Sequence, residues 1–242
     1  MTASGRAKVL KAFSTELAIM VKLRSPRIVQ VFGVVTTDTS YLGLVVEMCA
    51  GGALREALEA DDYATAVDEA QRRRWLLDVA LGMSYLYSKG VEHRDLKTLN
   101  VLLDASRRRC KVSDFGLSQS ESLNTAATQS TMGRGGGAKG TPAYMAPELL
   151  DSNTFTEETD VYAYALVIWE VLTGDIPWRG PNPVQVAMQL LTKQARPAVP
   201  EGAPADLVAL MQRCWAHEPD ARPCFTAIKA ELLGGGPETP AK

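Results

Sequence analysis

The sequence predicts an α+β fold, with a small β unit near the amino terminus followed by a mainly helical remainder. Two β-rich runs, IVQVFGVV at residues 28–35 and YLGLVVEM at residues 41–48, flank the polar stretch TTDTS and read as a hairpin. Downstream, apolar residues recur at spacings of three and four, the pattern of helices with one buried face. With 242 residues and 46% hydrophobic side chains, the chain can bury a single core, or two lobes packed as one unit.

Taken in order, Leu10, Phe13, Leu17 and Met20 share one stripe, which predicts a first helix over residues 10–23, ended by Ser25-Pro26. The hairpin follows, and Ala50-Gly51-Gly52 breaks its second strand. A short helix is expected near residues 54–58. A longer one carries Leu76, Val79, Met83 and Leu86 and stops at Gly90. Residues 118–140 hold seven Ser or Thr and five Gly with almost no large apolar side chain, which predicts a mobile loop. Residues 161–172 are apolar nearly all round, broken by Glu170, and read as a buried core helix. Helical patterns at 184–191, 205–215 and 225–233 complete the body, and GGGPETPAK is a frayed tail.

The formal net charge is −2, from 26 basic and 28 acidic side chains, so no long-range field draws nucleic acid or an anionic bilayer. Cys49, Cys110, Cys214 and Cys224 form no CxxC pair, and only His93 and His217 could add imidazole. A zinc site or disulfide framework is therefore not expected. No run of eighteen apolar residues occurs, and charges interrupt the first twenty residues, so neither a membrane span nor a signal peptide is predicted. A reducing, cytoplasmic setting fits; oligomeric state is not legible.

Two carboxylates and an amide interrupt the core patterns: Asp95 and Asn100 in HRDLKTLN (residues 93–100), and Asp114 in DFG (residues 114–116). Oxygen ligands of this kind suit a hard cation such as Mg2+, which keeps several waters and takes its other ligands from phosphates. Together with Ala146-Pro147-Glu148, in this order and spacing, these motifs resemble the signature set of eukaryotic protein kinases. The wording of KGTPAYMAPELL, VYAYALVIWEVLTGDIPW and CWAHEPDARP is similar to the tyrosine-kinase-like group.

The resemblance implies a bilobal kinase fold and a protein serine/threonine kinase that moves the γ-phosphate of Mg-ATP to hydroxyls of protein substrates. Asp95 would accept the hydroxyl proton, Lys97 would meet the γ-phosphate, and Asn100 and Asp114 would hold magnesium. Val46 matches the gatekeeper, Glu47 to Cys49 the hinge whose backbone meets adenine, and Leu102 the residue beneath that ring. Glu16 matches the helix glutamate. Met20, Val31, His93 and Phe115 would stack as a spine, which makes His93 a packed residue rather than a base, and Gly116 closes the DFG motif. Asp160 would anchor the catalytic loop, and Glu148 and Arg222 would form a buried ion pair. Lys97 and Thr141 both point to serine or threonine as acceptor. A phosphate on Ser118, Ser120, Ser122, Thr125, Thr128, Ser130 or Thr131 could pair with Arg94.

The implied domain spans residues 1–233, with a small-lobe remnant (1–48), a hinge (47–52) and a helical lobe (53–233), and residues 234–242 form the tail. Four departures stand out. No glycine-rich phosphate loop precedes Glu16, and Lys8, which resembles the strand lysine in contact with ATP, stands eight positions from Glu16, about half the separation the family implies. A solvated lysine is the plainer reading of Lys8. Glu92 replaces an aliphatic residue, and Tyr87 replaces a common histidine. These departures imply a shortened amino-terminal lobe, and they keep open the alternative of an impaired pseudokinase that serves as a scaffold. Arg72–Arg74 and Arg107–Arg109 read most simply as solvated faces, with docking of acidic partners the lesser reading.

Overall fold

A computed structural model describes Leu17 and residues 19–35, 43–115, 142–152 and 154–234. Lys8, Glu16, Gly116, Thr141, the early turns expected of the first helix, the TTDTS stretch and the Ser/Thr-rich stretch 118–140 lie outside the described residues. Ile19 and Met20 are helical. The chain then tightens through bonds from Lys22 N–H to Ile19 O (3.0 Å) and from Leu23 N–H to Met20 O (3.2 Å), so the helix stops at Met20 rather than Leu23.

β1 (Val31–Val35) and β2 (Gly43–Val46) pair antiparallel, with an irregularity between Val31 and Gly33. β1 begins at Val31 rather than Ile28 because the preceding residues pair elsewhere. Ile28 bridges Val112, and Val29 N–H donates to Val112 O at 2.8 Å. That contact ties the hairpin to the helical body. Phe32, Val45 and Val46 of the hairpin remain exposed.

The body contains α1 (Leu54–Leu58), α2 (Tyr63–Ala66), α3 (Glu69–Ser88), the short antiparallel strands β3 (Val101–Leu103) and β4 (Cys110–Val112), and then α4 (Pro147–Ser152), α5 (Glu157–Thr173), α6 (Pro183–Lys193), α7 (Ala205–Cys214) and α8 (Phe225–Leu232). The Asp68 carboxylate starts α3 by accepting from Gln71 N–H at 2.7 Å. Leu76, Val79, Met83 and Leu86 are all fully buried, each contributing about 1.5–3 kcal/mol of hydrophobic stabilisation. Gly82 lets α3 come close to its neighbours, since a Cβ there would lie 2.7 Å from Arg27 O and 2.9 Å from the Val112 side chain.

α5 is the axle of the body. Val161 through Val171 are buried on every side, and α3 and α7 pack against it. This explains why its sequence shows no polar face. Its carboxyl end closes at Gly174, whose φ of 70° favours glycine. Among the described residues no helix is long and apolar enough to cross a membrane.

Candidate active site

The loop between α3 and β3 carries the HRDLKTLN motif, and α5 holds it by one side chain. Asp160, 3% exposed, accepts from His93 N–H (2.8 Å), Arg94 N–H (2.9 Å) and the Tyr87 hydroxyl (2.7 Å). Burial pushes the Asp160 carboxyl above the ordinary aspartate range, against the downward pull of His93 and these three donors. The bonds hold Arg94 at φ 68°, a conformation that costs free energy for any residue but glycine. Sequence reasoning noted Tyr87 only as a departure; its position just before the catalytic loop was the available signal.

Three residues of the loop meet. Lys97 Nζ lies 2.7 Å from Asp95 Oδ2, and Asn100 Nδ2 donates to Asp95 O (2.8 Å) and to Asp95 Oδ2 (3.1 Å). With its amide nitrogen committed in this way, Asn100 turns Oδ1 away from Asp95. Ser113 then joins this group to Asp114, because its N–H (2.9 Å) and Oγ (3.0 Å) both donate to Asn100 O. Asp114 is exposed, at φ 56°. Two oxygen donors on neighbouring segments fit a hard divalent ion. Among the described residues no cluster of three or more His, Cys, Asp or Glu forms a self-contained cage, so any metal here would need ligands from phosphate and water.

Beside Asp114 opens a cleft of about 100 Å³, lined by Met20, Val31, Leu44, Val46, Leu102 and Phe115. The segment after β2 continues directly from Val46, which lines the cleft. The Glu47 carboxylate is fixed by Lys111 Nζ (2.6 Å) and Gln30 N–H (2.7 Å). Glu47 O and Cys49 N–H bond to no other described residue, which leaves an acceptor and a donor beside an apolar slot, the chemistry a flat purine needs. Burial, with the nearby Glu47 charge, pushes the Cys49 thiol up. Gly51 makes the turn out of this segment possible, since a Cβ there would lie 2.1 Å from Asp104 O. Met20 (5% exposed), Val31 (3%) and Phe115 (1%) belong to one buried apolar cluster, and His93 is fully buried.

Outside the cleft, Arg222 grips Glu148 through two bonds of 2.6 and 2.9 Å and also donates to the carbonyls of Ala216, Glu158 and His217. Arg94 pairs with Glu92 at 2.9 Å and lies over the Phe155 ring. Glu170, the charge that interrupts α5, is fully buried. It accepts from Arg55 Nη1 (2.6 Å), Thr98 Oγ1 (2.6 Å) and the Tyr144 hydroxyl (2.5 Å). Burial pushes its carboxyl up while these donors pull it down. No sequence pattern announced this junction, which brings α1, the catalytic loop and the segment before α4 onto one side chain.

A small β unit over a helical body, an apolar cleft beside Asp114, and a carboxylate, lysine and asparagine linked to Asp114 through Ser113 fit the layout of a nucleotide-dependent phosphotransferase. The sequence profile of the protein tyrosine and serine/threonine kinase family matches residues 1–232, and the chain belongs to that family. It is 36% identical over 228 residues to the serine/threonine/tyrosine-protein kinase HT1 of Arabidopsis thaliana, covering 94% of this chain and 55% of HT1. It is 36% identical over 224 residues to the serine/threonine-protein kinase CTR1 of the same plant, covering 92% of this chain and 26% of CTR1. Over 228 residues it is 37% identical to the dual specificity protein kinase shkA of Dictyostelium discoideum, covering 93% of this chain and 42% of shkA. The chain thus spans from about a quarter to just over half the length of these relatives.

Proposed function

We propose that residues 1–233 are the catalytic domain of a protein serine/threonine kinase, with 1–48 as its small lobe, 47–52 as the hinge and 53–233 as the helical lobe. The observation that carries this reading is the contact group of Asp95, Lys97 and Asn100, linked through Ser113 to Asp114. Asp95 orients the acceptor hydroxyl and takes its proton at Oδ. Lys97, now resting on Asp95, turns its ammonium to the transferred phosphoryl group, where charge spreads over the oxygens. Asn100 Oδ1 and the Asp114 carboxylate would hold magnesium, which would supply neutralisation of the phosphate charge. Glu47 O and Cys49 N–H bind the adenine edge of ATP over Leu102, below Val46. CTR1, named as a serine/threonine-protein kinase, together with Lys97 in the loop, supports serine or threonine as acceptor.

The test is transfer of labelled γ-phosphate from Mg-ATP to a mixed protein substrate by the protein that carries this chain, followed by phosphoamino-acid analysis. Phosphoserine and phosphothreonine are expected, with Asp95→Asn lowering the rate by roughly 10²–10⁴-fold. Near-normal transfer by Asp95→Asn would overturn the reading, and phosphotyrosine as the sole product would overturn the acceptor class.

A further inference from the structure

Arg27, Arg74 and Arg109 act on one buried carboxylate of α3, and two further arginines lie on the β3–β4 turn packed against the same helix. Asp78, 1% exposed, meets Arg27 Nε at 2.8 Å and Arg109 Nε at 3.1 Å, and Arg74 lies one turn before it on the same face of α3. The β3–β4 turn brings two more. Trp75 Nε1 donates to Arg107 O at 3.0 Å and Gln71 Nε2 to Arg108 O at 2.8 Å, which clamps that turn onto the first turns of α3. Asp104, the other acid here, is absorbed by its own turn: Oδ1 accepts from Arg108 N–H (3.0 Å) and Arg109 N–H (3.2 Å). Arg74, Arg107 and Arg108 are exposed and form no ion pair among the described residues. Glu69 does not neutralise them. It pairs with Arg73, which also binds Asp206, and it sits about 140° around the helix from Arg74.

Packing five like charges against two carboxylates is unfavourable in a chain whose net charge is −2, and an anionic partner relieves the repulsion. Every free cation of the patch is an arginine, the side chain whose planar fork binds phosphate through paired bonds. Exposed large apolar residues lie on other segments, among them Phe32 and Val45 on the hairpin, Met48 just after it, and Val184 and Met188 on α6. None falls within residues 69–78 or 104–111, so the patch lacks the inserting side chains of a bilayer-binding surface.

We propose that Arg74, Arg107 and Arg108, backed by Arg27 and Arg109, form a docking site for a phosphorylated segment of a partner protein. None of its arginines is among the residues assigned to the transfer reaction, and its occupancy does not depend on that reaction.

The experiment titrates the full chain against a fluorescein-labelled heptapeptide carrying two phosphoserines, followed by fluorescence anisotropy, with the unphosphorylated peptide and phosphatidylserine vesicles as parallel probes. The phosphorylated peptide is expected to bind at least tenfold tighter than its unphosphorylated form. The triple replacement Arg74→Gln, Arg107→Gln, Arg108→Gln is expected to weaken it at least tenfold, with the melting temperature unchanged. Equal binding of the two peptides, full binding by a folded triple variant, or capture of the vesicles without the phosphopeptide would each overturn the proposal. Because binding is read without ATP, its failure leaves the kinase assignment standing, and loss of transfer in Asp95→Asn leaves the docking result standing.

Discussion

The Tyr87 hydroxyl donates to Asp160 Oδ2 at 2.7 Å, so the last turn of α3 and the first of α5 meet at the carboxylate that carries the catalytic loop. The same tyrosine ring stacks on Phe225 of α8, with centroids 5.8 Å apart, which fixes the hydroxyl from the other side. Burial and the neighbouring Asp160 charge push its own ionisation far up, so it remains a donor throughout the working range of pH.

Tyr87→Phe removes one of three donors from a buried acceptor. It is expected to cost about 1–3 kcal/mol, read as a fall in melting temperature, and to lower kcat with little change in KM for ATP. Tyr87→His, which restores a donor, is expected to recover part of both. Equal kcat in Tyr87→Phe and the unmodified protein would show that the loop needs only the two backbone donors.

Two arginine–glutamate pairs, Arg222–Glu148 and Arg94–Glu92, differ in burial. Arg222 is fully enclosed and satisfies three carbonyls besides Glu148, so Arg222→Met is expected to cost about 3–5 kcal/mol, or roughly 6–20 °C in melting temperature. Arg94 and Glu92 are about a quarter and a third exposed (25% and 31%), and Glu92→Ala is expected to stay within about 1 kcal/mol. Calorimetry on both variants checks the contrast, and similar losses would contradict it.

Gly51→Ala places a Cβ against Asp104 O, where backbone must move. The segment holding Glu47 O and Cys49 N–H is expected to shift, and nucleotide binding to weaken about tenfold or more. The readout is the ATP-induced rise in melting temperature, which is expected to shrink in the variant.

Asp78 gives a pH prediction. Burial pushes its carboxyl up to about 6, despite Arg27 and Arg74. As pH rises from about 4, the unfolded chain loses this proton first while the folded protein keeps it, so stability falls until about pH 6 and then levels. Urea denaturation across this range is expected to show the protein losing up to about 3 kcal/mol relative to Asp78→Asn, which does not titrate. A constant difference between the two would refute the shift.

The helices were legible wherever periodic burial wrote them: Leu76 to Leu86 on α3, and the uniformly apolar stretch of α5. The motif residues Asp95, Asn100 and Asp114 were legible as charges that no core asks for. What escaped was long-range pairing. Ile28 joins Val112, Tyr87 reaches Asp160, and Arg55, Thr98 and Tyr144 converge on Glu170, contacts in which neither partner's neighbourhood names the other. The four-residue α2 was missed because one buried side chain, Tyr63, makes no period.

The junction at Glu170 also constrains what descent can do with this chain. A replacement there strands an arginine, a threonine and a tyrosine from three separate stretches, so neutral drift at any one of the four positions is closed unless its companions change in concert. Lineages that altered the carboxylate are therefore expected to have exchanged the others as a set.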